Sequence, residues 1–195
     1  MTDILIPQQP VRVALIGAGQ RAWNIYRPLF GSLRPWVEVT AVCDRVPSHA
    51  DAMAAALRVP AFYDLHALVA AQLMEAAVVV TPVDSHYAIS VFLSSHGIHN
   101  LVETSWCNMV AQARQMIAIA RQHGVVVRVA ENFFRSPIDR MVQAIAASGA
   151  LGRIGRVICY ADHTGYHNNS RWIALAKVHP IWVQALEHTM PTASF

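Results

Sequence analysis

The sequence predicts an α/β fold: a doubly wound parallel sheet over residues 1–130, followed over residues 131–195 by the start of an α+β domain. Three observations carry this. Short apolar runs recur without the period-two alternation of a half-solvated strand, as expected of strands buried on both faces of a parallel sheet. A helical pattern separates most runs from the next, and such short crossovers force parallel strands with right-handed connections. The rhythm then breaks after Glu131-Asn132, where one more helix leads through three glycines into a segment of different character.

Taken in order, Val11–Ile16 is the first strand, and Gly17 and Gly19 lead from it into a helix. Glu38–Cys43 repeats the strand signal, and the alanine-rich Ala50–Leu57 reads as a helix. Phe62–Tyr63 is a short strand before a helix over Leu65–Leu73. Ala76–Val80 is the next strand, with a helix starting at Asp84, a residue suited to N-capping. His99–Val102 is a strand, and Val110–His123 is a helix stopping at Gly124, where a left-handed cap favours glycine. Val125–Ala130 closes the set. Beyond it, Pro137–Ala147 reads as a helix, and Gly149, Gly152 and Gly155 lead into a strand over Arg156–Asp162. The remaining residues, rich in His, Asn, Trp and Pro, show no clear period.

Composition narrows the function class. The chain is 54% hydrophobic and 14% charged, which suits a compact core and argues against disorder. The longest uncharged stretch, Ser85–Val102, is interrupted by Ser, His and Asn, so no membrane span is expected. No basic segment followed by an apolar one opens the chain, and a soluble, cytoplasmic protein is the expectation. The net charge is +3, but the arginines are scattered and form no run, so no nucleic-acid surface is expected. Cys43, Cys107 and Cys159 lie far apart, and the ten histidines show no metal-ligand spacing, so no metal is expected.

Gly17-Ala18-Gly19-Gln20-Arg21-Ala22 matches Gly-x-Gly-x-x-Ala. It follows a strand, opens a helix and sits in the first βαβ unit, the context of a Rossmann-type dinucleotide loop. Gly17 permits the tight turn, Gly19 lets backbone approach a diphosphate, and Ala22 keeps the helix close to its strand. The helix opening at Gln20 and Arg21 supplies N–H donors for the anion. Asp44, ending the second strand, is the expected acceptor for the ribose hydroxyls. Arg45 stacks on the adenine, attracts a 2′-phosphate or is a solvated charge; NAD is favoured and NADP is left open.

These segments and three further ones resemble the Gfo/Idh/MocA family of NAD(P)-dependent oxidoreductases over roughly residues 11–160. Thr81-Pro82-Val83-Asp84-Ser85-His86 is similar to that family's Thr-Pro-Asn-x-x-His segment on the nicotinamide side. Glu103-Thr104-Ser105 falls where the family carries Glu-Lys-Pro, and Gly149–Gly155 resembles the turn into its substrate-domain sheet. The resemblance implies that Thr81, Pro82, His86, Glu103 and Thr104 border the cofactor, with Glu103 near the nicotinamide ribose. Read from residue type alone, Glu103 caps the helix that follows. Thr104 carries no charge where the family keeps an amine, and Ser105 lacks proline's tendency to a cis bond. The chain is also shorter than family members, which implies an incomplete second domain, and a partial open sheet exposes an edge that self-association would cover. A homo-oligomer through that domain is therefore expected.

Hydride transfer from an alcohol requires a base for the hydroxyl proton. His86, His163, Tyr166 and His167 are the candidates, the last three within a donor-rich stretch, His163–Trp172, that either lines a substrate pocket or forms a polar surface loop. Lys177, the single lysine, either replaces the missing amine or is solvated. The expected function is hydride transfer between NAD(P) and a sugar- or polyol-like substrate. The alternatives are a non-catalytic cofactor-binding sensor or interaction protein, and a fragment of a larger enzyme.

Overall fold

The computed structural model describes residues 7–158, 165–177, 181–182 and 184. Its strands are β1 (Val11–Ile16), β2 (Val37–Cys43), β3 (Ala61–Phe62), β4 (Ala76–Val79), β5 (His99–Val102) and β6 (Val127–Val129). All pair in parallel, in the order β3-β2-β1-β4-β5-β6. The chain winds outward from β1 through β2 to β3, then returns to lay β4 on the other side of β1. This reversal opens a crevice at the carboxyl ends of β1 and β4, where open α/β sheets bind ligands.

Both sheet faces are apolar, which explains the missing alternation in the sequence. Val13 and Leu15 of β1 face one core with Val42 and Val78, beneath Phe30, Met53 and Ala54. Ala14 and Ile16 face the other with Cys43 and Val79, beneath Leu68 and Leu93. The helices on the first face are α1 (Arg27–Ser32) and α2 (Pro47–Leu57). Those on the second include α3 (Leu65–Ala70) and α4 (Val83–Ser95). Helix α5 (Val110–Gln122) packs on α4 and ends at Gly124, whose φ of +65° is a left-handed cap.

Two local irregularities set the site. Between β1 and β2 the register slips, from Val13 opposite Val39 to Ala14 opposite Ala41, leaving Thr40 as the extra residue of a bulge. The Thr40 hydroxyl donates to the Val13 carbonyl at 3.2 Å. Val39 and Val42 consequently face the same core, three residues apart. Asp44, two residues beyond Val42, is thereby phased toward the α1 side. Ahead of α1, Ala22–Tyr26 forms a π-helical turn closed by the Arg27 amide donating to the Ala22 carbonyl. The wide turn ends two residues before Pro28, which has no amide with which to continue an α-helical ladder.

Several boundaries depart from sequence expectation. Helix α4 is capped at Pro82 rather than Asp84, which lies in its first turn, where a carboxylate favours the positive end of the dipole. The strand expected over Arg156–Asp162 is not formed by residues 156–158, and its remainder lies outside the described residues. A helix, α7 (Gly165–Ala176), occupies most of the donor-rich stretch expected to lack a period. No helix among the described residues is long and apolar enough to cross a membrane.

The chain divides into two compact units, residues 1–130 and 131–195. The second contains a 3₁₀ turn (Phe133–Arg135), α6 (Pro137–Ala147) and α7. Ser136 caps α6 by accepting from the Asp139 amide at 3.1 Å.

Gly17 is the backbone position that tolerates no side chain. At φ +93° a Cβ there would lie 2.8 Å from the carbonyl carbon and oxygen of Val80. We expect Gly17→Ala to destabilise the first unit by about 2–3 kcal/mol, from left-handed strain and displaced β4 backbone. Urea unfolding followed by circular dichroism checks this; an unshifted midpoint would contradict the close approach.

Candidate functional site

The glycine loop runs from β1 directly into the crevice. Gly17 donates its amide to the Cys43 carbonyl at 2.8 Å, tying the loop to the end of β2. Gly19 contrasts with Gly17: a Cβ built there meets nothing within 4 Å. One glycine is thus demanded by the protein's own backbone, while the other leaves an open approach above the loop. Ala22 is fully buried against the sheet. Gln20 and Arg21 open the helix, where amides have no carbonyl one turn back to satisfy them. An open glycine face beside first-turn amides fits an anionic diphosphate.

Asp44 lies where the Thr40 bulge directs it. Its Oδ2 accepts from the Ala18 amide at 2.7 Å and its Oδ1 from the Val46 amide at 2.9 Å. The carboxylate therefore braces the loop it was expected to complement, with lone pairs left over for ribose hydroxyls. A charge-assisted bond of this kind contributes about 1.5–3 kcal/mol. Arg45 is exposed and has no bonded partner among the described residues.

The segment Thr81-Pro82-His86 is placed at the end of β4, but His86 is not free. The ring is 1% exposed, with Nδ1 2.8 Å from the Ser105 carbonyl and Nε2 2.7 Å from the Thr81 carbonyl. Either neutral tautomer donates to one of these carbonyls, and the imidazolium donates to both. This geometry ties the β4 loop to the β5 loop and leaves no nitrogen directed at a substrate, so the expected proton-transfer role does not match the placement. The Ser85 hydroxyl, 2.8 Å from Thr81 Oγ1 and 2.7 Å from the Pro82 carbonyl, closes the same turn.

Glu103 departs from the reading taken from residue type alone. It does not cap α5, whose N-cap is Met109. It points to the α1 side of the sheet, as its parity with Leu101 dictates, and is 5% exposed. Oε1 accepts from Arg21 Nε at 2.6 Å and from the Tyr26 hydroxyl at 3.0 Å. Oε2 accepts from the amide of Thr104 at 2.6 Å and from its hydroxyl at 3.0 Å. Burial pushes the carboxyl up, but the Thr104 bonds and the Arg21 guanidinium outweigh it and hold Glu103 below its ordinary 4.5. Burial, with the Glu103 charge beside it, raises the Tyr26 phenol well above its ordinary 10.0. The peptide between Thr104 and Ser105 is cis, although residue 105 is not proline. Sequence reasoning missed Tyr26 altogether; its offset of five from Arg21 signals contact only if the intervening turn is wide.

In the second unit, His167 is 7% exposed and its Nδ1 lies 2.7 Å from Glu131 Oε2. The Phe133 ring stacks on the imidazole at 4.1 Å. Arg171, one turn further along α7, meets Asp139 with Nε 3.0 Å from Oδ1. Glu131 was not anticipated. Tyr166 lies on α7, its side chain outside the description, and His163 lies outside the described residues. Lys177 follows α7 with a φ of +54°.

A cavity of about 820 Å³ in the first unit is lined by Arg27, Arg34 and Arg58, among others. Arg34 and Arg58 sit at the carbonyl ends of α1 and α2, where cations complement the helix dipoles.

A family model described as an oxidoreductase family with an NAD-binding Rossmann fold, GFO_IDH_MocA, matches residues 11–131. D-glucoside 3-dehydrogenase of Escherichia coli (strain K12) is 31% identical over 147 residues, covering 74% of this chain and 41% of that protein. D-apiose dehydrogenase of Paraburkholderia graminis is 27% identical over 143 residues, covering 71% of this chain and 37% of that protein. Among solved structures, KijD10, a 3-ketoreductase from Actinomadura kijaniata in complex with TDP-benzene and NADP, superposes with a TM-score of 0.67. It is 26% identical, over 72% of this chain and 44% of that one. The chain thus spans about two fifths of the length of the relatives it matches.

The Glu103 network carries a pH dependence with a defined sign. Because the folded carboxyl titrates below its ordinary 4.5, its stabilisation is complete above about pH 4.5 and is lost as pH falls through the lower folded value. The stability difference between the wild type and Glu103→Gln is expected to favour the wild type at neutral pH and to shrink under acid. Urea midpoints from pH 7 to pH 3 test this; a difference independent of pH would show that the carboxylate is not charged in the fold.

Proposed function

The chain belongs to the Gfo/Idh/MocA oxidoreductase family, with its NAD-binding Rossmann fold, and from that premise we propose that it binds NAD(P) and transfers hydride to or from a sugar- or polyol-like substrate. The observation that carries the cofactor reading is the contrast at the crevice: Gly17 is filled by the protein's own backbone and Gly19 is open. Gly19, Gln20, Arg21 and Ala22 would hold the diphosphate, with Asp44 on the adenosine ribose and Arg45 at its 2′ position. Thr81, Pro82 and Thr104 would border the nicotinamide. Bound NAD(P) supplies the hydride acceptor or donor. The names of the relatives, a glucoside 3-dehydrogenase and an apiose dehydrogenase, support a carbohydrate-like substrate.

Among the described histidines considered for proton transfer, His167 is the one paired with a carboxylate: Glu131 Oε2 lies 2.7 Å from its Nδ1, an arrangement by which a carboxylate orients a general base. His86 becomes a positioning residue that joins the two loops bordering the crevice.

Titration with NADH and NADPH, followed by fluorescence, tests binding. Asp44→Ala is expected to weaken NADH by about 1–2 kcal/mol, through the ribose and the loop it braces. A screen of sugars, polyols and their derivatives against absorbance at the nicotinamide band tests turnover. Absent binding would sink the cofactor reading; binding without turnover on any substrate would favour a non-catalytic cofactor sensor.

A further inference from the structure

Tyr26 is 7% exposed and has its hydroxyl on Glu103, the same carboxylate oxygen that takes Arg21. We propose that Tyr26 and Glu103 are a positioning pair that fixes Arg21 by its Nε, so that its two terminal nitrogens meet the diphosphate of the bound dinucleotide. The proposal rests on the cofactor reading above and adds to it the device by which one loop residue is aimed.

Three features point this way. The first is donor bookkeeping. Glu103 accepts from Arg21, Tyr26, the Thr104 amide and the Thr104 hydroxyl, which uses both of its oxygens. It is therefore an anchor rather than a group available to a ligand. Arg21 is the opposite case: Nε is engaged, while Nη1 and Nη2 have no partner among the described residues, and the side chain is 54% exposed. A guanidinium presenting two terminal nitrogens matches the bidentate geometry of phosphate oxygens.

The second feature is helix geometry. Residues five apart on an α-helix diverge by about 140° and could not share one carboxylate oxygen so readily. The π turn over Ala22–Tyr26 widens the helix at this point and brings Arg21 and Tyr26 to the same side. The third is location. Arg21 lies two residues beyond Gly19, whose outer face is open, and its bridge runs from the loop after β1 to the end of β5, past the end of β4. It thus spans the crevice formed by the reversal of strand order.

The rival reading is a structural staple that holds the π turn to the sheet and plays no part in binding. A double-mutant cycle separates the two, using the whole chain, with NADH affinity and Tm as independent readouts. Tyr26→Phe keeps the ring and removes only the bond to Glu103. It is expected to weaken NADH about 3- to 10-fold in the wild-type background and by less than 2-fold in the Arg21→Ala background, because its effect passes through Arg21. Glu103→Gln is expected to behave the same way, which keeps the test informative should either variant be poorly folded. Equal losses in both backgrounds, or a fall in Tm with NADH affinity unchanged, would overturn the positioning role. Absence of NADH binding by the wild type is a separate result that removes the cofactor reading and this proposal with it.

Discussion

A carboxylate taken out of water at the end of a strand must be surrounded by donors, and much of the crevice rim is organised by that requirement. Glu103 is buried because β5 lies inside the sheet, between β4 and β6. Leaving such a charge unpaired would cost several kcal/mol. The fold answers with a cation from the glycine loop, a phenol from the π turn, and the amide and hydroxyl of the next residue. The consequence is mechanical: the loop after β1 and the loop after β5 are held at a common point. On the opposite face, His86 performs a similar task, joining the Thr81 and Ser105 carbonyls. Two buried polar side chains, one on each side of the crevice, fasten three successive strand ends together.

The parts of this arrangement that were legible in the sequence are those whose cause is local. Gly17 and Gly19 announce a turn and a helix opening within six residues, and the apolar runs announce buried strands. Asp44 was legible as a carboxylate ending the second strand. Its bond to the Ala18 amide was not, since that depends on which face the strand end presents. Glu103, read from residue type as a helix cap, was misjudged because its partners lie 77 and 82 residues away, and only strand parity and a widened turn bring them in. His86 was read as a reactive group for the same reason: nothing near it in sequence shows that two carbonyls will close on its ring.

Helix α7 illustrates a different gap. Its sequence, Gly-Tyr-His-Asn-Asn-Ser-Arg-Trp-Ile-Ala-Leu-Ala, opens with residues that favour turns and carries no strong apolar stripe. Its inner face is instead polar. His167 and Arg171, four residues apart and so on one side of a helix, meet Glu131 and Asp139. The Phe133 ring lies against both, stacked at 4.1 Å on the imidazole and 5.2 Å from the Arg171 guanidinium carbon. Periodicity of apolar residues misses a helix whose tertiary partners are carboxylates. The periodicity was present, carried by polar side chains.

The extra residue at Thr40 has an implication that reaches beyond β2. Because facing alternates with every residue, taking one residue out of the ladder as a bulge reverses the facing of those that follow relative to those before it. With Thr40 present, Asp44 reaches the glycine loop and Arg45 is left in solvent. Were the same residues run through a regular ladder, with Thr40 opposite Ala14, Asp44 and Arg45 would exchange faces. What a strand end offers its neighbour is thus also a matter of counting: the frame of a single strand, set four residues upstream, decides which charge faces the glycine loop.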